Sequence, residues 1–445
     1  MQSQRQGPPP QLKGPPSHVH MQQAQQQHYL ISAPDVNMHT QATGRGQFER
    51  RGSNAPPFGR PGNIDVPIMA DAPGEERPRA TLNVDGPALS QIAWSNKGRF
   101  LAGAFSAPVF LPKEAAIARV WDVKPGIYRD LLIPLQDVPD RSQLLSTQIA
   151  WEMKRANYLV ILVPSSHFLY FWHSIDFRSR DIALPTATVD LSRILPAGTP
   201  RPELLQWSYN GDMLAVSAGT NVFLFDARGD WSAPCAAHTF DAPIRALCWS
   251  PECDRLYVTL APASLVALQV QCPGSAEAGS GMPKPTFHGT PLRTIADHSS
   301  LGLLDYDFCT NTLVTGGASS VLTFWCAQTL MPIETLCPVD EPIVAAKFCR
   351  ISRLRSCLII QTLSGRVIFL KRMPNGLLQP DRVYTASTVI DPPGQSVTLP
   401  SVPVCSFSAR ARHDETNFSS LVNVSYLLPG ESTAVADIVI PPDTL

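Results

Sequence analysis

The sequence predicts an all-β fold, a seven-bladed β-propeller behind a disordered N-terminal tail. Three observations predict it. An aromatic residue closes a short apolar run seven times along the chain: SQIAW to Trp94, TQIAW to Trp151, ELLQW to Trp207, RALCW to Trp249, LLDY to Tyr306, AAKF to Phe348 and VCSF to Phe407. The steps between these anchors are 57, 56, 42, 57, 42 and 59 residues. A step near 42 spans one four-stranded blade, and a longer step is a blade plus an insertion. Third, further strand-sized runs follow each anchor, and one of them often ends in an aromatic, as in ARVWDV, FLYFWH, NVFLFDA, LTFWCA and VIFLKR.

The stretch 291–348 shows the unit most plainly. Four apolar runs, at 302–308, 312–315, 321–326 and 332–336, are rich in Val, Leu, Ile, Thr and aromatics. Asn311, Gly316-Gly317 and Ala327-Gln328 separate them as turns. A lone meander leaves an apolar face uncovered and needs neighbours of its own kind. Radial repetition of four-stranded sheets is a propeller, whereas a sandwich has seven strands rather than seven meanders.

Length and composition agree. The 445 residues fit one seven-bladed disc and a tail, divided as 1–79 and 80–445. Hydrophobic residues make up 44% and charged residues 16%, so the core is well supplied while Ser, Thr, Gln and Pro cover the surface. A formal net charge of −1 argues against a disc that binds nucleic acid through bulk charge. Ten cysteines are scattered without a CxxC or a metal-ligand spacing, and read as small buried hydrophobes. No signal peptide is evident, which favours a reducing compartment. The longest apolar run, Tyr158–Val163, is far shorter than the roughly 18 residues a membrane helix needs.

In chain order, residues 1–79 are low-complexity, dominated by Gln, Pro, Gly and Arg. Such a stretch cannot bury enough apolar area to offset its ordering entropy, so disorder is expected. Arg5, Lys13, Arg45, Arg50, Arg51 and Arg60 face only Asp35 and Glu49 up to Gly62, with Phe48 and Phe58 among the arginines. At most this gives weak RNA binding through phosphates and stacking; otherwise the tail is a solubilising one.

The first blade, from about Ala88 to Leu135, holds the WD dipeptide Trp121-Asp122 and an insertion at 106–116. The second, near 144–184, contains YLVILV, and a connection follows at 176–203. The third is compact, with Asn210-Gly211 as a hairpin signal. The fourth precedes a Gly/Pro/Ser loop at 272–285, and the sixth ends at Lys371-Arg372. A Pro-rich link at about 374–402 leads to a divergent last copy, 404–440, with strand-like runs at 402–408, 421–427 and 434–440, broken by ARARHDETNFSS. That copy is one strand short. The run 79–84 is the expected closing strand, since pairing it beside 434–440 hides two edges.

No catalytic, cofactor or metal site is read from the sequence, and no enzyme is expected. There is no GxxxxGK[ST] and no GxSxG, the ten His are dispersed, and Asp226 and Asp230 have no carboxylate cluster around them. His238 and His298 read as structural, and Thr315-Gly316-Gly317 as a turn.

AWSNKGRFLAGAF, LQWSYNGDMLAVSAGTNVFLFDA and VTGGASSVLTFW resemble WD-repeat strands. The order LLQWSYNGDMLAV, LCWSPECDRLYVT, PLRTIADHSS, LVTGGASSVLTFWCAQTLMPIETLCPVDEPIVAAKF, over about 203–348, resembles consecutive blades of the WD-repeat subunit of the THO complex, the Tex-one type. That resemblance implies a seven-bladed propeller acting without catalysis in the nucleus, within THO/TREX, which couples transcription to mRNA packaging and export. Its partners would be other THO/TREX subunits, with no membrane and no small-molecule substrate. The sequence departs from the family in keeping one WD dipeptide and in lacking the Asp before the third strand: the turns read SAGTN, APAS, GGASS and LSGR. The family's His–Ser–Trp–Asp network is thus largely absent. A second resemblance carries an alternative. Phe225-Asp226-Ala227-Arg228 resembles the [W/F]-D-x-R box that substrate receptors present to a cullin-type ubiquitin ligase, with Arg228 as the contact. The insertions at 106–116, 176–203, 272–290 and 374–402 are candidate docking loops.

Overall fold

The structure, a computed structural model, describes residues 89–440 apart from 96–98, 123–126, 138–146, 153, 155–157, 164–166, 174–183, 230, 272–284, 296–301, 318, 351–355, 364–366, 373–377, 385–406, 414–419 and 428–432. The tail, the run 79–84, His298 and Asp230 lie outside the described residues.

Seven antiparallel sheets follow one another in the chain. The first holds β1 (Leu89–Trp94), β2 (Phe100–Phe110), β3 (Glu114–Asp122) and β4 (Ile127–Pro134). The second holds β5 (Gln148–Trp151), β6 (Tyr158–Val163), β7 (Phe168–His173) and β8 (Ala187–Asp190), with a single helical turn, α1 (Leu191–Ile194), after it. The third holds β9 (Leu204–Trp207), β10 (Met213–Ala218), β11 (Asn221–Asp226) and β12 (Ala236–Thr239). The fourth holds β13 (Ile244–Trp249), β14 (Arg255–Leu260), β15 (Ser264–Gln271) and β16 (Thr286–Ile295). The fifth holds β17 (Leu303–Asp307), β18 (Thr312–Gly316), β19 (Leu322–Cys326) and β20 (Pro332–Leu336). The sixth holds β21 (Ile343–Arg350), β22 (Ser356–Thr362), β23 (Val367–Arg372) and β24 (Leu378–Tyr384). The last holds β25 (Phe407–His413), β26 (Ser420–Leu427) and β27 (Thr433–Ile440).

The architecture is an all-β propeller. The first strands β1, β5, β9, β13, β17, β21 and β25 lie side by side in chain order, and β25 returns to β1. The expectation of seven four-stranded blades is corrected: the described residues make six four-stranded blades and one three-stranded sheet. The last sheet holds three described strands, and the run 79–84 expected to complete it lies outside the described residues.

The second blade is covered on both faces, so alternate residues of one strand enter two different cores. In β6, Leu159, Ile161 and Val163 pack toward the first blade, and Tyr158, Val160 and Leu162 toward the third. This is why YLVILV is apolar throughout rather than alternating. The anchors sit at the seams: Trp151 joins the first and second blades, Trp207 the second and third, and Trp249 the third and fourth.

A serine follows four of the anchors, and after Trp94, Trp207 and Trp249 it caps the first turn of its blade. The N–H groups of Phe100, Met213 and Arg255 donate to the hydroxyls of Ser95, Ser208 and Ser250 at 3.0, 2.9 and 3.0 Å. All three serines are buried, so these bonds satisfy backbone donors that water cannot reach.

Other boundaries moved. The insertion 106–116 is no loop: it extends β2 and β3 into a long hairpin, with Phe110 paired to Ala115 and the Leu111 N–H donating to Glu114 at 2.8 Å. The expected link 374–402 begins with β24, and the expected loop 272–290 runs into β16, so both supply outer strands. The connection 176–203 carries β8 and α1. In the last sheet Phe407 opens β25 rather than closing it, and ARARH is strand. A run of Arg and His alternating with Ala and Ser hid that strand from an apolar-run reading.

Candidate interaction surface

The residues singled out from the sequence lie at the end of β11. Phe225 is fully buried and stacks at 6.0 Å on Trp231 from the following turn. Trp231 also meets Phe171 at 4.7 Å and Trp207 edge-on at 6.1 Å, which ties the turn to the second blade. Asp226 and Arg228 are brought together as a bidentate pair: Arg228 Nε donates to Oδ1 at 2.8 Å and its Nη2 to Oδ2 at 2.9 Å. The Arg228 N–H also donates to Oδ1, at 3.0 Å. Ala227 N–H bonds back to the Asp212 carbonyl at 2.8 Å. The Arg228 side chain is 33% exposed, so one face of the guanidinium remains on the surface. The D-x-R spacing therefore has a local cause, the stapling of its own turn, besides any role toward a partner.

The same side of the disc carries the first turns of the third, fourth and fifth blades. Among the described residues these turns interlock from the second blade to the fifth. Glu152 of the second blade is buried and reaches the Gly211 turn of the third, where a Cβ on Gly211 would lie 1.7 Å from Glu152 Oε1. The Asn210 N–H donates to Cys253 Sγ in the fourth at 3.4 Å. Arg255 and the Tyr257 hydroxyl of the fourth donate to the Ala327 carbonyl of the fifth at 3.3 and 2.9 Å. Tyr209 packs edge-on against Phe308 at 4.5 Å, spanning from the third blade to the fifth. Burial raises the Tyr209 hydroxyl well above its ordinary pKa, with Cys248 and Asp305 adding to it.

The rim of the fifth blade exposes a group of apolar side chains on this side. Phe308 is 38% exposed, Met331 64% and Ile333 58%. The two turns that carry Phe308 and Met331 are joined by the Ala327 N–H donating to Asn311 at 3.2 Å. Burial also raises the Asp305 carboxyl above the usual carboxylate range, against the opposing pull of Lys347 and of the Phe348 N–H, which donates to Asp305 Oδ2 at 2.6 Å. Across the disc, the long hairpin of the first blade exposes Val109 and Phe110.

His238 lies in β12 with its ring edge-on to Phe240 at 4.7 Å and Phe287 at 6.0 Å. Burial holds its pKa below the ordinary value. Those contacts are packing contacts at a seam between blades. Within the fifth blade, the Trp325 Nε1 donates to Thr315 Oγ1 at 2.8 Å, a buried polar contact between two strands. The reading of cysteines as buried hydrophobes holds for Cys248, Cys253, Cys349 and Cys357. It does not hold for Cys337, which is exposed, or for Cys235, Cys309 and Cys326, which are half-buried. In Cys326 the Thr329 hydroxyl and backbone bonds pull the thiol pKa down. Among the described residues no three His, Cys, Asp or Glu side chains converge as metal ligands. Among them, too, no helix is long and apolar enough to cross a membrane.

The interlocked turns, Trp231 and the rim of the fifth blade escaped the sequence reading. Trp231 had a signal, a large aromatic in a Gly/Ser turn; the interlocks join residues 43 to 99 positions apart and left none.

No family model matches the chain, and no curated protein matches it. Among solved structures it is similar to a chain of the crystal structure of a mitotic checkpoint complex, with a TM-score of 0.55 and 12% identity. The likeness covers 84% of this chain and 97% of that one. At that identity the likeness shows the fold alone, that of a WD-repeat-type β-propeller.

Proposed function

We propose that the chain is a non-catalytic scaffold subunit of a THO/TREX-type nuclear assembly coupling transcription to mRNA packaging and export. The observation that carries this reading is the stretch 203–348, whose run of motifs resembles that family in order and which folds as the three consecutive blades from β9 to β20. A formal net charge of −1 favours protein partners over nucleic acid for the disc, and the exposed Phe308, Met331 and Ile333 supply apolar contact surface. The test is affinity purification of the tagged endogenous protein followed by mass spectrometry. Large helical nuclear proteins in fixed ratio are expected; recovery of the protein by itself contradicts the reading.

A second reading has one observation in its favour, the partly exposed Arg228 at the end of β11. In that reading the chain is a substrate receptor of a cullin-type ubiquitin ligase. Co-purification of a ligase adaptor, lost on Arg228→Ala, selects it over the first.

The ring itself is read as seven-bladed, with 79–84 as the fourth strand of the last sheet. Residues 85–88 then separate that strand from β1. This matches the connection from β12 to β13, where residues 240–243 join an outer strand to the next inner one.

A further inference from the structure

The β21–β22 register sets Cys349 directly opposite Cys357. Both are thiols, and both are buried, at 2% and 6% exposure. Directly opposed residues of an antiparallel pair point to the same face of the sheet, with Cα atoms about 4.5–5.5 Å apart. A disulfide takes Cα separations of roughly 4.4–6.8 Å, so the backbone of this hairpin already stands in the range a bridge requires.

The face they share can be identified. Phe348, Leu358 and Ile360 pack into the seam with the fifth blade. Cys349, Cys357 and Ile359 alternate with them and so lie on the other face, the one turned to the seventh sheet, whose β25 lies against β21. The pair is next to the end of its hairpin, one position in from Arg350 opposite Ser356. Hairpin ends open locally at low cost, which gives a small oxidant access to groups that are buried on average.

We propose that Cys349 and Cys357 form a redox-active dithiol, a modification site that peroxide-class oxidants convert to a disulfide clamping the first hairpin of the sixth blade. One thiolate attacks a peroxide oxygen, the O–O bond breaks, and a sulfenic acid and one water form. The second thiol attacks that sulfur, the S–S bond forms, and the sulfenic oxygen leaves as a second water. Both cysteines are oxidised together, the peroxide is reduced by two electrons, and a thiol reductant reverses the change. The clamp joins β21 to β22 on the face turned to the three-stranded sheet.

The test uses the full chain, treated with hydrogen peroxide while folded. It is then denatured with an alkylating agent and cleaved by trypsin. The bridge predicts the peptide 348–350 joined to 356–366, lighter by two hydrogens than the separate peptides, and its loss after a reductant. It also predicts a thermal midpoint that rises on oxidation in the wild type and not in Cys357→Ser. The exposed Cys337 serves as the internal control for oxidant dose. Alkylated Cys349 and Cys357 at a dose that oxidises Cys337 overturn the proposal, and so does a linkage found only when peroxide is added after denaturation.

Discussion

The indole Nε1 of Trp151 donates to the main-chain oxygen of Ala93, 2.9 Å away on the first strand of the preceding blade. Trp249 repeats the bond two seams on, donating to the main-chain oxygen of Gln206 at 3.1 Å. Both acceptors lie immediately before their own anchor, so each anchor fastens to the residue beside the previous one. At these two seams the aromatic anchor is thus also a hydrogen bond between inner strands. Trp207 occupies the same place in its blade, but its Nε1 has no hydrogen-bond partner among the described residues.

That difference predicts an order. Trp151→Phe and Trp249→Phe remove a donor from a part-buried main-chain oxygen, at a cost of about 1 kcal/mol beyond the lost ring area. Trp207→Phe removes a buried donor that has no acceptor, so it loses the area and recovers that desolvation. Urea unfolding of the three variants should place Trp207→Phe as the mildest; equal losses would show that the indole bonds contribute nothing.

Gly211 has φ of 71° and faces the Glu152 carboxylate. Gly211→Ala meets both a left-handed backbone and a direct clash, and about 2–4 kcal/mol of destabilisation is expected. Gly198 has φ of 83°, and a methyl group added there would meet nothing within 4 Å, so Gly198→Ala should cost only about 1–2 kcal/mol. Thermal midpoints of the two variants check the comparison.

Arg119 is buried, clamped to Asp130 with Nε to Oδ1 at 2.5 Å, and its guanidinium lies 4.0 Å from the Tyr128 ring. Asp130→Ala leaves that cation without its carboxylate. Full burial of such a charge costs about 3–5 kcal/mol, and the partial exposure of Asp130 reduces the expectation to about 2–3 kcal/mol. Arg119→Met, which keeps much of the volume, should cost less, and chemical denaturation measures both.

The closing strand gives a fourth expectation. A chain starting near Glu75 should unfold as cooperatively as the full chain, whereas Leu82→Pro, which removes a ladder donor, should destabilise the whole disc. Hydrogen exchange of β27 reports it directly: faster exchange in Leu82→Pro supports pairing there, and unchanged exchange assigns closure to another strand.

His238 adds a pH dependence. Its folded pKa is held below its unfolded value, so the unfolded chain binds the extra proton more readily. The contribution is present above about pH 6.5 and is lost as pH falls through the lowered value. His238→Gln should flatten that part of the stability profile.

Much of the fold was legible because the repeat is local. Each anchor, its apolar runs and its turns fall within one blade, and β20 begins and ends where PIETL does. The Ser after Trp94, Trp207 and Trp249 was visible as a repeated dipeptide, but its hydroxyl bond to the N–H five residues on is a matter of turn geometry. Strand reading failed where the pattern was not apolar, in ARARH of β25, and where an insertion continued a hairpin, in 106–116. The surface was less legible than the fold. Asp226 and Arg228 were found because they are two residues apart; Tyr209 and Phe308, or Cys349 and Cys357, meet only after blades and registers are set.

The scaffold reading is tested most directly by the size of the native particle. Nuclear extract treated with ribonuclease and resolved by size exclusion should place this chain in one peak far larger than its own 48.5 kDa, together with large helical proteins. Elution at the mass of the single chain, or a large peak that collapses on ribonuclease treatment, would contradict it.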